Sequence, residues 1–171
     1  VTQTFQLQLY SASKDRGQFF SQIHEAHYKT AINIFLDKPI IGIGNKSFRY
    51  SCFKEKYSSN IPKFETGNFK GVTKGCATHP HNYYIQILSE NGIFNFLIIC
   101  ALYLMIIKRL FVHFLNVYFK KKKVLKNQQV FILIFFAILL WPLIPTGSFF
   151  SSWISSTLFL PIAYLVREFN N

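Results

Sequence analysis

From residue 127 to residue 166 the chain runs for 40 residues without one Asp, Glu, Lys or Arg. A transmembrane helix needs about 20 predominantly apolar residues. A run of this length predicts two spans joined by a tight turn. Pro142, Pro145, Gly147 and Ser148 supply the turn signals near its middle. Two adjacent spans bring the chain back to its starting side. Basic residues flank both ends: Lys120, Lys121, Lys122, Lys123 and Lys126 before, Arg167 after. The positive-inside rule then puts both ends in the cytoplasm. The Lys run is read as a topology signal, with a patch for anionic lipid as the alternative.

A second apolar run covers residues 93–107, broken by Asn95 and closed by Lys108 and Arg109. Fifteen residues are short for a span, but extension back into the preceding helix, or forward to Phe111 with snorkelling basic side chains, supplies the length. This span starts opposite the Lys run, so the residues before it lie outside the cytoplasm. The expected organisation is an all-α polytopic membrane protein. Its parts are an outer loop region over 1–91, spans over 92–111, 128–146 and 147–166, a Lys-rich cytoplasmic loop over 112–127, and a tail over 167–171. Residues 1–10 lack a charged n-region and an apolar core, and no initiator Met is present. We therefore expect a fragment of a larger polytopic protein.

Composition separates this reading from a nucleic-acid-binding one. The net charge is +12 and the pI near 9.7. Yet only 15% of residues are charged, against about 25% in an ordinary soluble domain. Half are hydrophobic, which also excludes a disordered tail. Residues 1–92 carry 11 basic and 6 acidic side chains, while residues 93–171 carry 8 and 1. No nucleic-acid partner is expected; the lipid bilayer is. A transporter is disfavoured, because no span holds a mid-membrane ionisable residue.

Cys52 and Cys76 lie in the outer region and are a candidate disulfide, with free thiols as the alternative. Cys100 lies in the first span.

The outer region predicts a helix over 24–36, with His24, His27, Tyr28, Ala31, Ile34 and Phe35 on one broad face. Asp37, Lys38 and Pro39 end it. Ile40 to Gly44 reads as a short extended segment with a turn. It lacks the third glycine of a dinucleotide fingerprint. The richest stretch is CATHPHNYYIQILSENG, residues 76–92. Thr78 is the expected helix cap, Pro80 a first-turn residue and Gly92 the stop. That helix leads almost directly into the first span, which sets His79 and His81 near the outer bilayer surface. Imidazole is the usual general base near neutral pH. Two surface histidines without a catalytic role are the plain alternative. A zinc site from His24, His27, His79 and His81 is open by residue type, but HEAHY lacks the i, i+4 histidine pair of a zinc protease, so no metal is expected.

Taken in order, these segments resemble the C-terminal half of the bacterial O-antigen ligase and O-antigen polymerase family. The matching residues are Asp37, Pro39, Gly42, Gly44, Phe48 and Arg49, then His79, Pro80, His81, Asn82, Glu90 and Gly92. The ligase pattern is His, Asn/Ser/Gln, nine residues, Gly, two residues, Gly/Thr/Tyr. His81, Asn82 and Gly92 satisfy it, and Asn95 departs at the last position. That departure weakens ligase relative to polymerase. The stretch PTGSFFSSW, residues 145–153, looks like the family's final hairpin.

The resemblance implies a C-type glycosyltransferase-like fold in the inner membrane, with a helical periplasmic loop. The chain is then its C-terminal fragment, partnered by the remaining N-terminal helices of the parent. It implies transfer of a glycan from an undecaprenyl-pyrophosphate carrier to lipid A-core or to a growing glycan, without a cofactor. By the motif match His81 is the catalytic candidate and His79 the second. Arg49 and Asn82 are substrate-binding candidates. The family often has an Arg four residues before the first helix's aromatic, but here His24 precedes Tyr28. Protonated His24, or Arg16, is expected to supply that charge. The alternative is a non-catalytic membrane module or an inactive truncated remnant of such an enzyme.

Overall fold

A computed structural model describes residues 20, 22–59 and 75–170, and every regular element in them is helical. Helix α1 (Gln22–Asp37) buries Ala26, Tyr28, Ala31 and Ile34, the face that the apolar spacing marks. Asp37 closes it. Its Oδ2 accepts from Lys56 Nζ at 2.8 Å and from Tyr57 Oη at 2.6 Å, and these contacts hold its carboxyl below the usual range. The short helix α2 (Phe48–Ser51) and a 3₁₀ turn (Glu55–Tyr57) follow. Phe48, Cys52 and Tyr57 pack with Ala31 and Ile34 into the core of this outer half. Cys52 and Cys76 are joined by a disulfide, with Cα atoms 5.1 Å apart.

Helix α3 (Tyr83–Lys120) is the spine of the molecule. Its cap is Asn82, not the expected Thr78: Asn82 Oδ1 accepts from the Tyr84 and Ile85 N–H groups at 3.0 and 3.2 Å. Thr78 and Pro80 lie in the turn before it. Gly92 does not stop the helix. It breaks it, with φ +79° and ψ −176°, and helix resumes beyond. The reason is a close backbone crossing. A Cβ at Gly92 would collide with the Ile40 carbonyl, and one at Gly42 with the Glu90 backbone. The 40–44 segment is therefore not extended. It is a turn clasped onto α3, with Ile43 N and Gly44 N donating to Ser89 O and Glu90 O at 3.2 and 2.8 Å.

Lys108 and Arg109 do not end this helix, which continues to Lys120 and closes with Lys121 in the left-handed region. From Gly92 onward it is about 40 Å long, more than a hydrocarbon core of about 30 Å requires. Among the described residues it is the one helix long and apolar enough to cross a membrane. His113 Nδ1 accepts from Leu125 N–H at 3.1 Å and turns the chain back. Helix α4 (Asn127–Leu139) then returns along α3. It is shorter than the span expected over 128–146, because the chain leaves helical geometry at Leu140. The connection over 140–151 meets the start of α3, and α5 (Ser152–Asn170) descends again. Tyr83, Tyr84 and Ile87 pack there with Phe136, Leu140 and Leu158, while Leu110, Leu125 and Leu133 pack at the other end.

Candidate active site

Four imidazoles meet where α1, the turn before α3 and the α4–α5 connection converge. His24 and His27 project from successive turns of α1. The His81 ring lies against both, with centroids 5.5 Å from His24 and 5.3 Å from His27. His79 is 4.2 Å from His81. His81 adopts φ +60°, outside the usual range for a side-chain-bearing residue. Its backbone is fixed by Thr146 N–H, which donates to His81 O at 2.8 Å.

The two candidate histidines differ in what they have left to offer. His79 Nε2 lies 3.3 Å from the Thr146 carbonyl oxygen, which can only accept, so Nε2 carries the proton. Its Nδ1 then accepts from the Thr78 hydroxyl at 2.9 Å. Both nitrogens are occupied. The half-buried His81 ring has no hydrogen-bond partner among the described residues and keeps a nitrogen available.

Burial sets the charge state. It lowers the pKa of His81, and burial together with the neighbouring His81 lowers those of His24 and His79. His27 is pushed furthest, to about 4, by burial and then by the other three imidazoles, partly offset by a hydrogen bond with the Cys76 backbone. These shifts run against the expectation of a protonated His24, because each favours the neutral imidazole. Arg49 is the cation that the described residues bring to it, close enough to oppose protonation of His79. Its Nε is sealed from solvent with no partner among the described residues, as are His27 Nδ1 and Thr146 Oγ1. Arg16 lies outside the described residues. Among these, no group of three or more His, Cys, Asp or Glu is arranged to hold a metal ion.

Asn82, expected at a substrate, is spent within the fold. Besides capping α3 it donates from Nδ2 to Pro142 O at 2.7 Å, and it is buried. It begins a polar stripe that the sequence reading missed: Asn82, Gln86 and Glu90, at i, i+4 and i+8 on one side of α3. Gln86 Nε2 donates to Glu90 Oε2 at 3.0 Å and to Ser148 Oγ at 3.1 Å, while Gln86 Oε1 accepts from Phe149 N–H at 2.9 Å. Glu90 Oε1 accepts from Phe48 N–H at 2.9 Å, and Oε2 from Lys46 N–H at 3.1 Å. Polar residues at a four-residue period in an apolar helix were the available signal.

The disulfide ties the end of α2, which bears Arg49, to the strip that bears His79 and His81. Imidazoles held neutral, one with a free nitrogen, and a nearby guanidinium can accept a proton and hold an anion. No curated protein and no solved structure matches the chain. A family model described as O-antigen ligase matches residues 11–100, just over half of the chain, including Arg49 and both candidate histidines. The chain therefore belongs to the O-antigen ligase family.

Proposed function

We propose that the protein moves a glycan from undecaprenyl-pyrophosphate to lipid A-core or to a growing glycan chain. It works at the periplasmic face of the bacterial inner membrane, on a C-type glycosyltransferase-like fold completed by further N-terminal helices of the parent protein. An acceptor hydroxyl oxygen attacks the anomeric carbon of the donor glycan. The bond from that carbon to the pyrophosphate oxygen breaks, and the electron pair leaves with the lipid pyrophosphate. His81 takes the hydroxyl proton, and Arg49 holds the pyrophosphate as its charge develops. His79, bonded to Thr78 and Thr146, stiffens the strip that carries His81. The basic outer half, net +5 over residues 1–92, favours an anionic donor.

The observation that carries this reading is the unengaged, neutral His81 ring beside Arg49-flanked His79. The test replaces each residue in the intact membrane-embedded protein. His81→Ala and Arg49→Ala are each expected to abolish glycan attachment or polymerisation with the protein still present in the membrane. A normal lipopolysaccharide ladder from both variants would overturn the mechanism. Proteolysis or reagent access to residues 54–58 from the cytoplasmic side would reverse the proposed orientation.

A further inference from the structure

We propose that Glu90 is the positioning residue that sets Arg49 against the histidine strip, acting through the backbone of α2. The proposal rests on the role given to Arg49 above. Glu90 is fully buried, and its hydrogen bonds among the described residues go to Lys46, Phe48 and Gln86 rather than to an imidazole. Its two oxygens accept three N–H groups: Phe48 at 2.9 Å, Lys46 at 3.1 Å and Gln86 Nε2 at 3.0 Å. Phe48 and Lys46 bracket the start of the four-residue helix in which Arg49 is the second residue. Ser47 caps that helix with no side-chain hydrogen bond, so the Glu90 carboxylate supplies what the local sequence does not.

The same side chain reaches the other wall of the site. Gln86, bonded to Glu90, holds Ser148 and Phe149, and Thr146 two residues earlier bonds His79 and His81. Glu90 thus fixes the guanidinium-bearing segment directly and the histidine-bearing segment through two intermediates, Gln86 and the connection from Thr146 to Phe149. Lys46 takes φ +59°, a conformation that needs such an anchor.

Glu90→Gln preserves shape but turns an acceptor into a donor facing an N–H that already points at it. Misplacing a binding group by about 1 Å costs on the order of 10²-fold in rate. In the intact membrane-embedded protein, Glu90→Gln is expected to lower kcat by about that factor, with a smaller change in donor KM. The discriminating measurement is a double-mutant cycle with Arg49→Lys. If Glu90 acts through Arg49, Glu90→Gln lowers the rate little further once Arg49 is Lys. An equal loss in both backgrounds, or no loss in the Arg49 background, overturns the proposal. An unchanged rate for Arg49→Lys alone overturns the Arg49 assignment and this proposal with it, so the two failures are distinct. Thiol labelling of Cys52 and Cys76 reports whether the outer half has folded. If Glu90→Gln does not accumulate, Glu90→Asp, which keeps both acceptor oxygens on a shorter stem, enters the same cycle. Non-additivity again supports the proposal and additivity overturns it.

Discussion

Helix α3 lives by opposite rules on the two sides of Gly92. Before it, the polar side chains point inward: Gln86, Ser89 and Glu90 are each at most 1% exposed. After it, the apolar side chains point outward: Phe94, Leu97, Ile98, Leu104 and Met105 are all exposed. The first half is specified by directional hydrogen bonds, where a displaced donor leaves a buried group unpaired. The second asks only that the surface be apolar, because lipid tails are as good a neighbour as Leu. The site sits where direction matters. Its residues come from four separate stretches, and backbone contacts rather than bulk burial bring them together.

The comparison is broken most directly at the boundary. Gly92 has a backbone conformation open essentially to glycine, at a cost of about 1–3 kcal/mol for other residues, and a Cβ would strike the Ile40 carbonyl. Gly92→Val is expected to release the 40–44 clasp and abolish glycan transfer, while α3 still inserts in the membrane. Limited proteolysis of membrane vesicles checks both halves at once. A variant with a protease-resistant outer half and full transfer would show that the clasp is not needed.

The disulfide comes next in size. Closing a loop of 24 residues contributes about 3 kcal/mol in the chain-entropy model. Cys52→Ser is expected to lower the unfolding free energy of the outer half by that amount, with a correspondingly lower midpoint, and to leave the helix content of the spans unchanged. Denaturant titration followed by circular dichroism measures it. Equal losses in both halves would mean that they fold as one unit.

These two predictions also show what was legible beforehand. The helix over 24–36, the end at Asp37 and the turn near residues 142–148 follow from period and punctuation, which are local signals. Thr78, Asn82 and Pro80 all suit a helix start, and only the Asn82 bonds to Tyr84, Ile85 and Pro142 decide the cap. Lys108 and Arg109 do not mark the end of α3 because both can lie on an exposed helical surface, and the apolar residues after Leu140 do not reveal that α4 stops there. The case for His81 and Arg49 in the sequence rests on the family motif, not on period or spacing. The stripe of Asn82, Gln86 and Glu90 was invisible because its partners, Lys46, Phe48, Ser148 and Phe149, are distant in sequence. The burial of His24 and its approach to His81, which both lower its pKa, are tertiary facts that the sequence does not carry.

The histidines make the pH dependence of the two halves differ. Unfolded His27 binds a proton near pH 6.5, whereas folded His27 binds one near pH 4. Between those values the unfolded state holds more protons, so stability falls as pH falls. His24, His79 and His81, all lowered, act in the same direction, and nearby Arg49 opposes protonation of His79. The outer half is expected to be most stable above pH 7, to weaken as pH drops below 6.5 and to level off near 4. Glycan transfer should lose rate with acid as well, because His81 must be neutral to accept a proton. Thermal unfolding of the outer half across pH 4–8 is the check, and His27→Gln should flatten part of the profile. A flat profile in the unmutated protein would contradict the buried-neutral cluster.

The smallest effect sharpens the contrast from the membrane side. Leu104 is exposed on α3, twelve residues past Gly92. In water such a side chain would be a liability; in lipid, at 65% exposure, its truncation opens no buried cavity. Leu104→Ala removes only transfer energy, about 0.5 kcal/mol on an insertion scale. Transfer activity and the outer-half midpoint should both stay unchanged, by gel ladder and denaturant titration respectively. A marked loss of either would place Leu104 against another helix rather than lipid. The membrane portion of α3 would then be a packed wall of the donor cavity, and the division at Gly92 would be one of chemistry but not of solvent.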